Sequence, residues 1–171
     1  KKNNSIRIFF VILMFASIAP NIEVLAETTN MDTVVLSTTE ILSVSLDVVE
    51  DEIKNGNFEE AKQLTKENSE FFSLQVLTLR ESNSEITDEI HILLLDMHNE
   101  IEIGNESLVL DNIATIKNML KQYEINSPDY GMASAMILTI VDEQYQFANK
   151  DGEEYRYAIS EKLLDRVNVL F

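Results

Sequence analysis

Asn55-Gly56-Asn57, Ile103-Gly104-Asn105 and Asp151-Gly152-Glu153 are three glycine-centred triplets, and their glycines stand 48 residues apart each time. The chain holds only 4 Gly and 2 Pro in 171 residues, so turns are scarce and long helices are favoured over many short strands. A glycine behind an amphipathic run marks where a helix stops in the left-handed conformation, because glycine enters it without a Cβ clash. The fixed spacing predicts an internal repeat. Sliding the chain by that period keeps five columns apolar: Leu42/Ile90/Leu138, Val44/Ile92/Ile140, Val49/Met97/Tyr145, Ala61/Val109/Tyr157 and Phe71/Met119/Val167.

Outward from each glycine the apolar spacing is helical. Leu42, Leu46, Val49 and Ile53 precede the first turn, Ile86, Ile90, Leu93, Met97 and Ile101 the second, and Ile137, Val141, Tyr145 and Ala148 the third. Beyond the turns come Ala61, Leu64 and Phe71, then Val109, Ile113, Ile116, Leu120 and Tyr123, then Leu164, Val167 and Phe171. Asn57 and Asp151 are suited to start the second helices, each with a glutamate three residues on, Glu60 and Glu154. Ser37-Thr38-Thr39-Glu40 and Ser82-Asn83-Ser84-Glu85 fit capping boxes, and Ser127-Pro128 sets a cap before a first-turn proline. The reading is all-α: six antiparallel helices over about 33–54, 58–79, 83–103, 106–124, 128–149 and 153–170. They pair as hairpins 33–79, 83–124 and 128–170, and short turns favour a closed bundle over a short solenoid. The polar run Lys66 to Glu70 is a place where the second helix is expected to fray or kink.

The first 26 residues read as a secretory signal peptide. Lys1, Lys2 and Arg7 form a basic leader, Ile8 to Ala19 is an uncharged apolar run, and Val24-Leu25-Ala26 offers the small residues a signal peptidase needs. That run is short of the roughly 20 residues that span a bilayer. Residues 27–171 are then an exported domain in an extracytoplasmic space, at the cell surface or secreted. The start at Lys1 and the apolar end Val169-Leu170-Phe171 suggest a piece of something longer at the C-terminal side. With Lys1, Lys2, Arg7 and Glu23 removed, 10 of 13 basic and 29 of 30 acidic residues remain, a balance of −19. Such a surface disfavours nucleic acid and direct membrane insertion or adsorption. It suits cations, basic partners or solubility. Apolar residues make up 45 %, too many for a disordered acidic chain. No cysteine is present, so thiolate sites and disulfides are excluded. Asn105-Glu106-Ser107 is an N-glycosylation sequon in a predicted turn.

No Ser-His-Asp set, glycine-rich phosphate loop or Glu-x-x-His motif occurs, so no enzyme is expected. The two histidines, His91 and His98, lie seven residues apart on one predicted helix face, with Asp88 and Glu102 at helical spacing. Asp88, His91, His98 and Glu102 supply the donor types that hold iron or zinc, but the set needs ligands from other helices to close. Solvent-facing polar residues beside an apolar stripe is the preferred reading, and no cofactor is assigned. Asp142-Glu143 with Tyr145, and Glu153-Glu154 with Tyr155, place carboxylates around the third hairpin, where hard cations bind; a charged outer face is again preferred.

Ile137 to Ala148, then Asp151-Gly152, Glu154-Tyr155 and the ending Arg166-Val167-Asn168-Val169-Leu170-Phe171 resemble one known pattern. It is the extracytoplasmic helical region before the membrane part of archaeal and bacterial high-affinity iron permeases. The permeases' Arg-Glu-Gly-x-Glu membrane motif is absent here. The resemblance implies a sensor or accessory domain beside an iron transporter, with no metal ligand carried over. The expected function is an exported, non-catalytic interaction domain with a protein partner or an attached membrane domain. The alternative is a stand-alone extracytoplasmic metal-binding protein.

Overall fold

A computed structural model describes residues 30–170. The signal peptide expected over 1–26 lies outside the described residues. Five helices follow in order: α1 (Met31–Asn55), α2 (Phe58–Glu102), α3 (Glu106–Leu120), α4 (Tyr130–Asp151) and α5 (Glu154–Leu170). No strand occurs among the described residues, so the fold is an all-α helical bundle.

The six expected helices in three equivalent hairpins are not reproduced as such. The segments 58–79 and 83–103 join in the 45-residue α2, where Asn83 alone leaves helical dihedrals, at φ −155° and ψ 99°. That one residue reverses the chain. In a straight helix Ser73 and His91 would stand about 27 Å apart at about 1.5 Å per residue. Instead Ser73 Oγ lies 3.1 Å from His91 Nε2, and Arg80 reaches Asp88 at 2.6 Å. Asn83 makes the reversal without a loop. Its side chain accepts the Ile86 N–H at 3.1 Å and so caps the second arm, a role the sequence had offered to Ser82.

Helix α1 is the axis, packing on all four other helices. Between Thr33 and Leu46 the sequence carries one charge, Glu40, and a helix apolar all round is buried all round. Leu42, Leu46 and Val49 are fully buried, and so are Val35 and Val44 on other faces. Its small polar residues turn inward by bonding their own backbone: Ser37 Oγ donates to Thr33 O at 3.0 Å and Thr39 Oγ1 to Leu36 O at 3.0 Å. The capping box expected at Ser37–Glu40 is therefore helix interior. Asn30 caps α1 instead, accepting the Asp32 N–H at 2.7 Å.

All three repeat glycines adopt positive φ: 79° at Gly56, 73° at Gly104 and 71° at Gly152. At Gly56 the following residue closes the motif, Asn57 N–H donating to Glu52 O at 2.9 Å. Asn105 N–H does the same to Glu100 O at 2.9 Å. Gly152 forms the simpler cap, its own N–H donating to Ala148 O at 2.9 Å. The expected starting caps do not form. Asn57 makes no side-chain cap bond and donates to Glu52 Oε2 instead, and Asp151 belongs to α4. Asp129, not Ser127, caps α4, accepting the Met132 N–H at 2.9 Å.

A Cβ at Gly56 or Gly104 would meet no atom within 4 Å. The cost of alanine there is backbone strain alone. Gly56→Ala and Gly104→Ala are each expected to cost about 1–2 kcal/mol, and the asparagine variants less, because asparagine tolerates the left-handed region. Urea unfolding midpoints check this, and an unchanged midpoint for both alanine variants contradicts it.

The α3–α4 connection is tied to the start of α1. Asp32 Oδ2 accepts the N–H groups of Asn126 and Ser127 at 3.0 and 2.8 Å, and Thr33 Oγ1 accepts that of Asp129 at 2.8 Å. Lys162 of α5 pairs with Asp51 of α1 at 2.9 Å, and Arg166 with Glu40 at 3.4 Å, so α5 climbs antiparallel to α1.

Candidate functional site

The four residues weighed as metal ligands sit on the second arm of α2, and three of them meet different partners. Asp88 is held by Arg80. His91 faces Ser73, with its ring 6.2 Å from that of the fully buried Phe72. Glu102 pairs with Lys62 at 3.1 Å. His98 buries its Nδ1 with no hydrogen-bond partner. The reversal at Asn83 brings the first arm's cations, Arg80 and Lys62, to the carboxylates. Among the described residues no group of three or more His, Asp or Glu is arranged to hold a metal ion.

A buried charged cluster lies elsewhere, between α2, α4 and α5. Arg156 is only 4 % exposed. Its guanidinium grips Glu67 with two donors, NH1 to Oε2 at 3.2 Å and NH2 to Oε1 at 2.8 Å. Nε donates to Glu153 at 2.5 Å, and NH1 also donates to Gln144 at 3.0 Å. The rings of Phe147 and Tyr155 stack on it at 4.9 and 5.1 Å. Burial opposes the charged guanidinium, but Glu67 and its neighbours outweigh burial and push Arg156 above its ordinary value. Burial, reinforced by Glu67, drives the Tyr155 phenol upward, so it stays neutral. Buried and satisfied on four of its five N–H groups, Arg156 is a latch between helices.

The latch explains the polar run on α2. No fraying or kink occurs at Lys66–Glu70; Glu67, Asn68 and Ser69 are buried. Asn68 Oδ1 accepts the Ser45 hydroxyl at 2.6 Å, fixing α2 to α1. The partner of Glu67 is 89 residues away, so no local pattern could have announced it.

The carboxylates of the third hairpin divide. Glu153 belongs to the latch, while Asp142 accepts from Gln146 at 2.8 Å. Glu143 is partly buried, and burial, with Asp142 beside it, raises its carboxyl to about 7. A folded-state value above the unfolded one means that the native state binds the extra proton between about pH 4.5 and 7. Its contribution is present below that window and is lost as pH rises through about 7. Glu143→Gln is expected to flatten the fall in stability across this window and to stabilise the protein at pH 8. Denaturation series at pH 5 and pH 8 check it, and equal slopes for the two proteins contradict it.

One exposed feature sequence reading missed. Leu74 and Leu77 on the first arm of α2 are 54 % and 74 % exposed, and Ile92 and Leu95 on the second are 59 % and 52 % exposed. Ser73 and His91 face each other across the seam, and each residue along a helix turns about 100°. Because the arms run oppositely, Leu74 and Ile92 swing to the same outer side, opposite the buried Phe72 and Ile90. Leu77 and Leu95, four residues on from the seam pair, lean over the seam between them. The four form one oblique apolar stripe on the outer face. Its signal in the sequence was the i, i+3 spacing of each pair, and Ile92 stood there only as one member of an apolar repeat column.

No helix among the described residues is long and apolar enough to cross a membrane. No family model matches the chain, and no curated protein or solved structure is significantly similar to it.

Proposed function

We propose that the chain is an exported, acidic, non-catalytic interaction domain, built as three tandem helical hairpins, that docks a protein partner through the apolar stripe on α2. The observation that carries this is the stripe itself. Four large apolar side chains are exposed on the two arms of α2, on the side opposite Phe72 and Ile90, and exposed apolar patches mark interaction sites. Charge supports the choice of partner. Lys54, Lys62, Lys66, Arg80, Lys117, Arg156, Lys162 and Arg166 are each engaged by a carboxylate, so the acidic excess faces outward. That field repels nucleic acid and anionic lipid and favours a protein face of apolar centre and basic rim. The likeness of residues 130–171 to the extracytoplasmic region of iron permeases suggests that the partner is a membrane transporter domain, on the same chain or a neighbouring one. The hairpin reading draws support from the positive φ at the three glycines and the reversal at Asn83.

The test places a photo-crosslinking residue at Leu77 or Ile92 in cells producing the full chain, with Glu161 on α5 as the control position. One discrete adduct from the stripe positions in the extracytoplasmic fraction, and none from Glu161, is the expected result. No adduct, or equal labelling from all three, sinks the interaction reading.

A further inference from the structure

The three glycine turns differ in what they show to solvent. The first flanks its glycine with Asn55 and Asn57, the third with Asp151 and Glu153, and the second with Ile103. Every residue from 102 to 108 is exposed. Ile103 is 76 % exposed and Leu108 40 %, an apolar pair at the tip of a turn. Between them lies the sequon Asn105-Glu106-Ser107.

Asn105 holds the capping position of α3, at φ −89° and ψ 66°, yet its side chain makes no cap bond. Its backbone is committed, N–H to Glu100 O and carbonyl from Val109 N–H, but the side-chain amide is free. The Ser107 hydroxyl is exposed in the first turn of α3, where backbone donors lack helical partners and unwinding is cheap. The sequon therefore joins an exposed, unbonded amide to an exposed +2 hydroxyl on a segment that opens easily.

We infer that Asn105 is an N-glycosylation site, accepting an oligosaccharide from a polyprenyl-diphosphate donor, and that the glycan shields Ile103 and Leu108. A bond forms between the Asn105 side-chain nitrogen and the anomeric carbon. The bond from that carbon to the diphosphate oxygen breaks, the diphosphate leaves with the electron pair, and the amide nitrogen gives up one of its two protons. The inference rests on the export reading, since such transfer occurs outside the cytoplasm.

The experiment produces the full chain in a host with an extracytoplasmic oligosaccharyltransferase and measures intact mass in the exported and retained fractions. The exported protein is expected to be heavier by one glycan. Peptide N-glycosidase should remove it and leave a carboxylate at 105. Asn105→Gln should lose the added mass and Ser107→Thr should keep it. Glu106→Pro is the sharper control, because proline at the first helical position suits α3 but blocks the sequon. An exported chain of unmodified mass overturns the inference while leaving export standing. A glycan mapped to the other sequon, Asn3-Asn4-Ser5, overturns it too. If the chain stays inside, the export reading fails and the purified full chain decides, incubated with oligosaccharyltransferase and its lipid-linked donor. Modification at Asn105 then upholds the assignment, and none overturns it.

Discussion

Arg156→Met is expected to lower the unfolding free energy by about 3–5 kcal/mol, because it strands the Glu67 carboxylate in a buried site without its bidentate partner. Taking two ions out of water is expensive, so the pair is held by its completeness more than by its attraction. The double change Arg156→Met with Glu67→Met should therefore recover at least half of the loss. At about 2–4 °C per kcal/mol for a domain of this size, the single variant should melt roughly 10 °C lower. Chemical denaturation of the single and double variants tests this as a thermodynamic cycle. A single-variant loss below about 1 kcal/mol, or a double variant as unstable as the single, would show that the three helices are held by other means.

Phe72→Ala carries the second large effect. Phe72 is a fully buried member of the core, and its ring on the first arm of α2 meets His91 of the second. Truncating such a ring costs about 3–5 kcal/mol through lost transfer energy and the cavity left behind. The His91 ring, which leans on it at 49° and 6.2 Å, loses its support as well. Leu77→Ala, at a site 74 % exposed, should change stability by less than about 0.5 kcal/mol. Amide exchange should then separate the two variants, with protection falling on both arms for Phe72→Ala and on neither for Leu77→Ala. Similar losses for both variants would mean that the stripe is buried.

What could be read from the residues depended on the range of the interaction. The glycine stops were legible because positive φ is a property of one residue, and Gly56, Gly104 and Gly152 each adopt it. The boundary near 82–85 was legible too, but not its form. Nothing in Ser82-Asn83-Ser84-Glu85 distinguishes a loop between two helices from a reversal on one residue, since both begin with the same cap. Helix α1 was read as one stripe, Leu42 to Ile53, although the single charge between Thr33 and Leu46, Glu40, already pointed to burial on nearly every side. Its serines and threonines invited a cap reading because the same hydroxyls serve at caps and in helix interiors.

The long-range pairings were out of reach. Glu67 looked like part of a fraying polar run because its partner, Arg156, lies 89 residues away on α5. Likewise Asp88, His91, His98 and Glu102 share an arm by spacing, but the folding back of α2 delivers Arg80, Ser73 and Lys62 to three of them. Helical spacing places residues on a face. What that face meets is decided by topology.

The direction of travel of the outer helices has one further consequence. Helix α1 descends from Asn30 toward Gly56, and α5 rises beside it, with Lys162 near Asp51 and Arg166 near Glu40. Both ends of the described chain thus emerge at one pole. Anything continuing from either end would hang the domain like a pendant, its attachment at that pole and its three glycine bends at the opposite tip.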